Sequence, residues 1–328
     1  MIMKITFLDA ATLGEDIKDI IYDKFGVFGE VTLLNSAAPT DVLKAAADSD
    51  VLVVNKIKIN SETLGANPKV SLVCVAATGF DNIDLEYCKN RKIAVCNVRG
   101  YSTYSVAQIT VAAVLSLTCK MPQYNEYVKS GRYTESGIAN RLVPVYHELF
   151  GKVWGIVGAG NIGRQVAKIA EALGCRVIVC KRTPVSDMEC VNIDTLCKTA
   201  DIISVHTPLT DETRGLISRE RIALMKKDAI FVNVARGAIA DEQALTEAIE
   251  QNRLGGLGID VYSKEPLPKE HPYNRILNNP NTCFTPHNAW GAYEARVRCL
   301  DIIAKNISSY LNGGTDTELI FKNLLKCT

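Results

Sequence analysis

Apolar runs of strand length recur along this chain, separated by segments whose apolar residues keep helical spacing. Residues 4–8 and 31–34 read as short strands, with a helical segment at 15–25 between them. Unbroken apolar stretches follow at 50–55 (DVLVVN), 70–76 (VSLVCVA) and 93–97 (IAVCN), with helical patterns at 40–47 and 84–90 in the intervals. Strands without polar alternation suit a parallel sheet covered on both faces. The first hundred residues therefore predict α/β organisation.

A long apolar helix is predicted over 105–119, ending before Pro122. The stretch 124–150, rich in Tyr and polar residues, reads as less regular. A second α/β series begins beyond it, with a strand at 152–157, a helix at 161–173, and strands at 176–180, 201–206, 229–233, 257–260 and 282–285. The last helix, 294–311, has no strand after it, and the chain contains no short-period repeat.

Composition adds boundaries to this picture. The 328 residues suggest about two domains at the usual length of roughly 100–200 residues each. Hydrophobic residues at 47% and charged residues at 22% are an ordinary globular balance. A formal net charge of +1 argues against a generally basic nucleic-acid binder or a polybasic membrane protein. The N-terminal MIMKITFLDA passes directly into a strand without the three regions of a secretory signal, and no apolar run approaches membrane-spanning length. The eleven cysteines never form C-x-x-C, and Cys74, Cys96, Cys175 and Cys180 fall inside apolar patterns. Buried free thiols in a cytoplasmic protein are the expectation, without disulfides or a metal site.

The strand KVWGIV runs into Gly158, Ala159, Gly160, Asn161, Ile162 and Gly163, and a helix follows. In G-x-G-x-x-G the first glycine permits the tight turn, the second lets the backbone approach a pyrophosphate, and the third allows close helix–strand packing. Free N–H groups and the dipole at the helix start complete an anion site. A dinucleotide cofactor is therefore expected. The next strand should end at the residue that reads the adenosine ribose, where an NAD site places Asp or Glu. Here Lys181 and Arg182 stand instead. A pair of cations can neutralise a 2′-phosphate, so NADP is the preferred cofactor and NAD the alternative. The competing reading is an ordinary solvated pair.

Three further residues follow predicted strands, where open α/β sheets bind ligands. They are Arg236 in NVARG, Glu265 in DVYSKEP and His287 in TPHN. Each alone is unremarkable: a surface arginine, a loop carboxylate, a loop histidine. Together they match one reaction. Hydride addition to a ketone carbon develops negative charge on its oxygen, and an imidazolium is a suited proton donor near neutral pH. A neighbouring carboxylate favours the charged ring and orients it, while an arginine holds a carboxylate or oxo group.

Over nearly its whole length the chain resembles the D-isomer-specific 2-hydroxyacid dehydrogenase family. The resemblance is carried by GFDNID (79–84), the glycine turn, HTPLTDETRGLI (206–217), NVARGAIADEQAL (233–245), GIDVYSKEP (258–266) and TPHNAW (285–290). Through CNVRGYSTYSVAQ (96–108) and Trp290 it is most similar to the glycerate dehydrogenase and hydroxypyruvate (glyoxylate) reductase branch. The resemblance implies two doubly wound parallel-sheet domains, of Rossmann and flavodoxin-like type, with a cleft between them that closes over substrate. It implies a discontinuous substrate domain, 1–98 with 290–328, and a dinucleotide-binding domain, 99–289. It assigns His287 as acid/base, Glu265 as its partner and Arg236 as substrate anchor. Asp260 is implied to meet the nicotinamide carboxamide, with Thr207, Pro208, Val234 and Ala235 lining the cofactor. Backbone N–H groups at Thr78 and Gly79, with Asn55 or Lys56, are implied to bind the substrate carboxylate. A homodimer is expected, formed through 124–150.

Three positions depart from the family pattern. Lys181 replaces the ribose-reading acid, Arg99 replaces the proline usual before GYST, and Asn288 replaces an apolar residue beside His287. Trp290 has two readings, a wall that restricts the pocket to small acids such as glyoxylate or hydroxypyruvate, or packing at a domain junction. The expected activity is reduction of a small 2-oxo acid to a D-2-hydroxy acid. Another class is a dinucleotide-sensing corepressor of the same fold, disfavoured by the lack of long polar tails. Formate oxidation is disfavoured because Glu265 stands where that chemistry typically has glutamine.

Overall fold

The computed structural model describes residues 2–65 and 69–313. The chain divides into two compact units, Met1–Ser102 with Gly291–Thr328, and Thr103–Trp290.

The first unit begins with β1 (Met3–Phe7), α1 (Lys18–Phe25), β2 (Gly29–Leu33), α2 (Pro39–Ala46), β3 (Val51–Val54), α3 (Ser61–Leu64), β4 (Leu72–Val75), α4 (Leu85–Asn90) and β5 (Ala94–Cys96). All pairings are parallel, in the order β2-β1-β3-β4-β5. The uninterrupted apolar runs VLVV and LVCV are buried along their whole length, as strands covered on both faces require. The edge strand β2 (GEVTL) alternates half-buried and exposed positions instead.

The second unit opens with α5 (Thr103–Thr118), α6 (Met121–Lys129) and α7 (Arg132–Ser136). The series β6 (Val153–Val157), α8 (Asn161–Ala172), β7 (Arg176–Cys180), α9 (Ile193–Thr199), β8 (Ile202–Val205), α10 (Arg219–Leu224), β9 (Ile230–Asn233), α11 (Glu242–Glu250), β10 (Gly256–Ile259) and β11 (Thr282–Phe284) follows. The sheet is again parallel, in the order β11-β10-β9-β8-β6-β7. Beyond β7 a lone parallel bridge at Cys190 continues the sheet, made by Val179 N–H to the Glu189 carbonyl (2.8 Å) and Val191 N–H to the Val179 carbonyl (2.9 Å). Strand order therefore reverses between β6 and β8, the switch point at which doubly wound sheets bind dinucleotides. One core cluster contains Trp154, Val114, Leu117, Val166 and Ala170, and another contains Phe231, Leu196, Leu245 and Ile222.

The last helix, α12 (Tyr293–Leu311), belongs to the first unit. Its Asn306 amide donates to the Asn97 carbonyl (3.2 Å), its Arg298 guanidinium to the Tyr101 carbonyl (3.1 Å), and Asp301 pairs with Lys24 of α1.

One stretch differs from the sequence-based expectation. Part of 124–150 is helical, in α6 and α7, yet neither helix buries a residue. Apolar periodicity reports the face a helix buries, so helices with no covered face give no such signal. All cysteines within the described residues are free thiols, and Cys180 is half-buried rather than buried. Burial pushes the thiols of Cys88 and Cys197 up to about 11, which leaves them poor nucleophiles.

Candidate active site

The glycine turn lies at the C-terminal end of β6, on the switch point. Gly158 has φ +98°, and a Cβ there would stand 2.7 Å from the Thr207 nitrogen, against the chain leaving β8. A Cβ on Gly163 would strike the Gly158 carbonyl oxygen at 2.1 Å, so the third glycine brings α8 onto the turn. Gly160 is different, because a Cβ there would meet nothing within 4 Å. It is also the N-cap of α8 and offers no side-chain cap to the helix. Open space before uncapped N–H groups at a helix start fits a pyrophosphate. Asn161, Ile162 and Gly163 form the first turn, which carries no acidic residue.

Lys181 and Arg182 follow β7 and are exposed. The Arg182 guanidinium lies 3.1 Å from the Glu212 carboxylate, on the loop after β8. Within that loop the Thr213 hydroxyl donates to the Pro208 carbonyl at 2.7 Å. Thr207 is half-buried beside the glycine turn and Pro208 is exposed, while Val234 and Ala235 are half-buried beyond β9.

His206 follows β8, and its Nδ1 is enclosed although part of the residue reaches the surface. Its Nε2 is 2.9 Å from the Ser204 hydroxyl, which also accepts the Trp154 indole N–H at 2.9 Å, while its Nδ1 has no hydrogen-bond partner among the described residues. Burial holds its pKa down at about 3, so this ring stays neutral at working pH and cannot serve as the acid.

His287 differs. Its Nδ1 lies 2.6 Å from a Glu265 carboxylate oxygen, and both side chains remain partly open to solvent. With Nδ1–H donating to Glu265, the opposite nitrogen, Nε2, faces away from the carboxylate. The other Glu265 oxygen accepts the Tyr262 N–H at 3.1 Å. Burial pushes the Tyr262 hydroxyl up to about 12, so it stays protonated and donates to the Thr285 carbonyl at 2.9 Å, tying together the two loops that carry the pair.

His287 adopts φ +54°, an αL conformation that a residue with a Cβ holds only under constraint. Asp260 supplies much of that constraint. Its buried carboxylate accepts the Thr285 hydroxyl (2.6 Å), the Asn288 N–H (2.9 Å) and the Ala289 N–H (3.1 Å). Burial raises its pKa, and these hydrogen bonds oppose the rise. Asp260 is thus already engaged in shaping the histidine loop, a task the sequence did not disclose.

Arg236 follows β9 on a turn organised by buried Asn233, whose amide donates to the Arg236 carbonyl (2.9 Å) and accepts the Ala235 N–H (3.1 Å). The next residue, Gly237, is pressed against the Glu265 loop. A Cβ there would stand 2.1 Å from both the Tyr262 carbonyl carbon and the Ser263 nitrogen. The turn bearing Arg236 and the loop bearing Glu265 are therefore in direct contact, and the arginine, carboxylate and imidazole gather at one end of one sheet. Trp290 donates its indole N–H to the His287 carbonyl at 3.0 Å.

In the first unit, Asp9 accepts the N–H groups of Asn55 (2.9 Å), Lys56 (2.6 Å) and Ile57 (3.2 Å), so those donors are already engaged. The Asn55 side chain is buried and donates to the Thr12 hydroxyl at 3.0 Å. The Thr78 hydroxyl donates to the Val98 carbonyl and the Asn97 amide to the Thr78 carbonyl, both at 2.7 Å. The backbone N–H groups of Thr78 and Gly79 make no hydrogen bond among the described residues. Asp9 escaped the sequence reading; its only signal was a carboxylate directly after an apolar strand.

The family described as D-isomer specific 2-hydroxyacid dehydrogenase, NAD binding domain, matches residues 111–289. The chain is 32% identical to a hydroxypyruvate reductase of Blautia hydrogenotrophica, over 95% of this chain and 98% of that protein. It is 31% identical to a glycerate dehydrogenase of Methylorubrum extorquens, over the same shares. Among solved structures, an acyclic imino acid reductase in complex with NADPH and D-Arg superposes with a TM-score of 0.85 at 29% identity, covering 97% of this chain and 100% of that one. The full-length match agrees with a switch-point glycine turn and with a histidine–glutamate pair set beside an arginine turn. The chain belongs to the D-isomer-specific 2-hydroxyacid dehydrogenase family.

Proposed function

We propose that the protein reduces a small 2-oxo acid of the hydroxypyruvate or glyoxylate type to the D-2-hydroxy acid, with NADP(H) preferred over NAD(H). The observation that carries this reading is the 2.6 Å contact between His287 Nδ1 and Glu265. The reduced nicotinamide supplies the hydride. His287 gives its Nε2 proton to the carbonyl oxygen as charge develops there, and Glu265, 2.6 Å from Nδ1, keeps the ring aligned. Arg236 fixes the acid group through its planar fork.

The cofactor preference rests on Lys181 and Arg182 after β7, where a carboxylate would repel a 2′-phosphate. The names of the hydroxypyruvate reductase and glycerate dehydrogenase relatives support the substrate class. A homodimer accounts for the apolar side chains that 121–150 leaves in water, among them Ile138, Leu142, Val145 and Phe150, the last 79% exposed.

Initial rates for a panel of 2-oxo acids with NADH and NADPH test the reading. Turnover of hydroxypyruvate or glyoxylate, higher kcat/KM with NADPH and a D-configured product from hydroxypyruvate are expected. An L-configured product or no turnover with either cofactor overturns the activity. A preference for NADH overturns the cofactor choice alone, and a monomer mass by light scattering overturns the dimer.

A further inference from the structure

Glu242 begins α11, a position where carboxylates commonly interact with their own helix's N–H groups. Its oxygens point elsewhere. One accepts the Ser263 N–H at 2.9 Å, and the other accepts the Ser263 hydroxyl and lies 2.9 Å from His271 Nε2. The capping role at this helix is filled by Asp241, whose carboxylate accepts the Ala244 N–H at 2.8 Å. His271 is buried, and its Nδ1 accepts the Tyr273 N–H at 3.3 Å, which leaves Nε2 as the protonated nitrogen. Three donors from outside the helix thus converge on one enclosed carboxylate, whose side chain is only 10% exposed.

The segment these donors fix is the one that carries Glu265. Ser263 precedes it by two residues, and Tyr262 donates its N–H to Glu265. The Tyr262 ring stands edge-on to His271, with centroids 6.2 Å apart. From the opposite side, Gly237 leaves no room for the 262–263 peptide to shift towards the arginine turn.

We infer that Glu242 is a positioning residue, which with Ser263 and His271 clamps the 262–265 loop and so holds Glu265 against His287. The inference rests on the proposed role of Glu265. Glu242→Gln in the full chain keeps an acceptor for the Ser263 N–H but removes acceptors for the Ser263 hydroxyl and the imidazole N–H. A displaced catalytic group is expected to lower kcat by about 10- to 100-fold, while NADPH affinity by fluorescence titration stays near wild type. The pH–rate profile should move in the same direction as in Glu265→Gln. The double variant should be no slower than Glu265→Gln alone, within about twofold.

An unchanged kcat and pH profile in folded Glu242→Gln overturns the clamp. So does a double variant in which the two losses multiply. If Glu265→Gln itself keeps the wild-type profile, the role of Glu265 fails first and the clamp with it. Should Glu242→Gln not fold, Ser263→Ala removes one donor from the exposed side and must shift the profile the same way; no shift overturns the proposal.

Discussion

The indole of Trp290 donates a hydrogen bond to the carbonyl oxygen of His287 at 3.0 Å, across a backbone that turns through φ +54° at the histidine. The bond and the Asp260 carboxylate hold that turn together. Trp290→Phe keeps most of the bulk and deletes the donor. A hydrogen bond contributes about 0.5–1.5 kcal/mol net, so a two- to tenfold fall in kcat is expected with little change in substrate size preference. Trp290→Ala should additionally admit larger oxo acids, read as kcat/KM across a chain-length series. A flat series would assign the indole to loop support alone.

His287→Ala should cost about 10²- to 10⁴-fold in kcat, the range of a general acid–base group, with cofactor binding preserved. Glu265→Gln removes the negative charge that faces His287 Nδ1. The pH–rate profiles should then move to lower pH, so reduction falls away earlier as pH rises, and oxidation reaches its plateau at lower pH. Rate profiles in both directions check the sign. Movement towards higher pH would contradict it.

The Arg182–Glu212 pair is exposed on both sides, and such pairs contribute little to stability. Arg182→Ala should therefore leave the melting temperature within a degree or so while weakening NADPH. A charge-assisted contact of about 1.5–3 kcal/mol corresponds to roughly 10- to 100-fold in affinity. NADH, without the 2′-phosphate, should be affected far less. Equal losses for both cofactors would show that Arg182 does not read the phosphate.

His206 gives the fold a defined acid sensitivity. Burial depresses its pKa from 6.5 to about 3, so between those values the unfolded chain binds a proton that the folded chain refuses. Stability from this group is whole above about pH 6.5 and is lost as pH falls towards 3, at up to about 1.4 kcal/mol per pH unit. His206→Gln keeps a partner for Ser204 and removes the titration. Urea melts at pH 7.5, 6 and 5 should show the stability gap between wild type and variant narrowing as pH falls. A constant gap would contradict the assignment.

Strands covered on both faces were legible because their apolar runs are unbroken, as in Val51–Val54 and Leu72–Val75. The glycine turn was legible because each of its three positions answers a different steric demand. The chemistry-bearing residues could be found because each follows a strand of the same parallel sheet. The helices α6 and α7 could not, since none of their side chains is buried. The supporting layer was equally hidden. Nothing in the spacing around Asp260 signals its bonds to the histidine loop, while Glu242 resembles any acid in a first helical turn. His271 lies 29 residues from the carboxylate it meets. Their partners are set by packing across loops, which no spacing in the chain records.

The single bridge at Cys190 has a consequence for the protein's behaviour in concentrated solution. Without it, β7 would present a full row of unsatisfied amides and carbonyls to any passing extended peptide. Two main-chain bonds clasp the middle of that margin, and the Arg176–Glu189 and Arg164–Asp187 pairs set charge alongside it. The border of the cofactor sheet is thereby made unwelcoming to strand addition, and the same clasp anchors the far end of the segment that begins with Lys181 and Arg182.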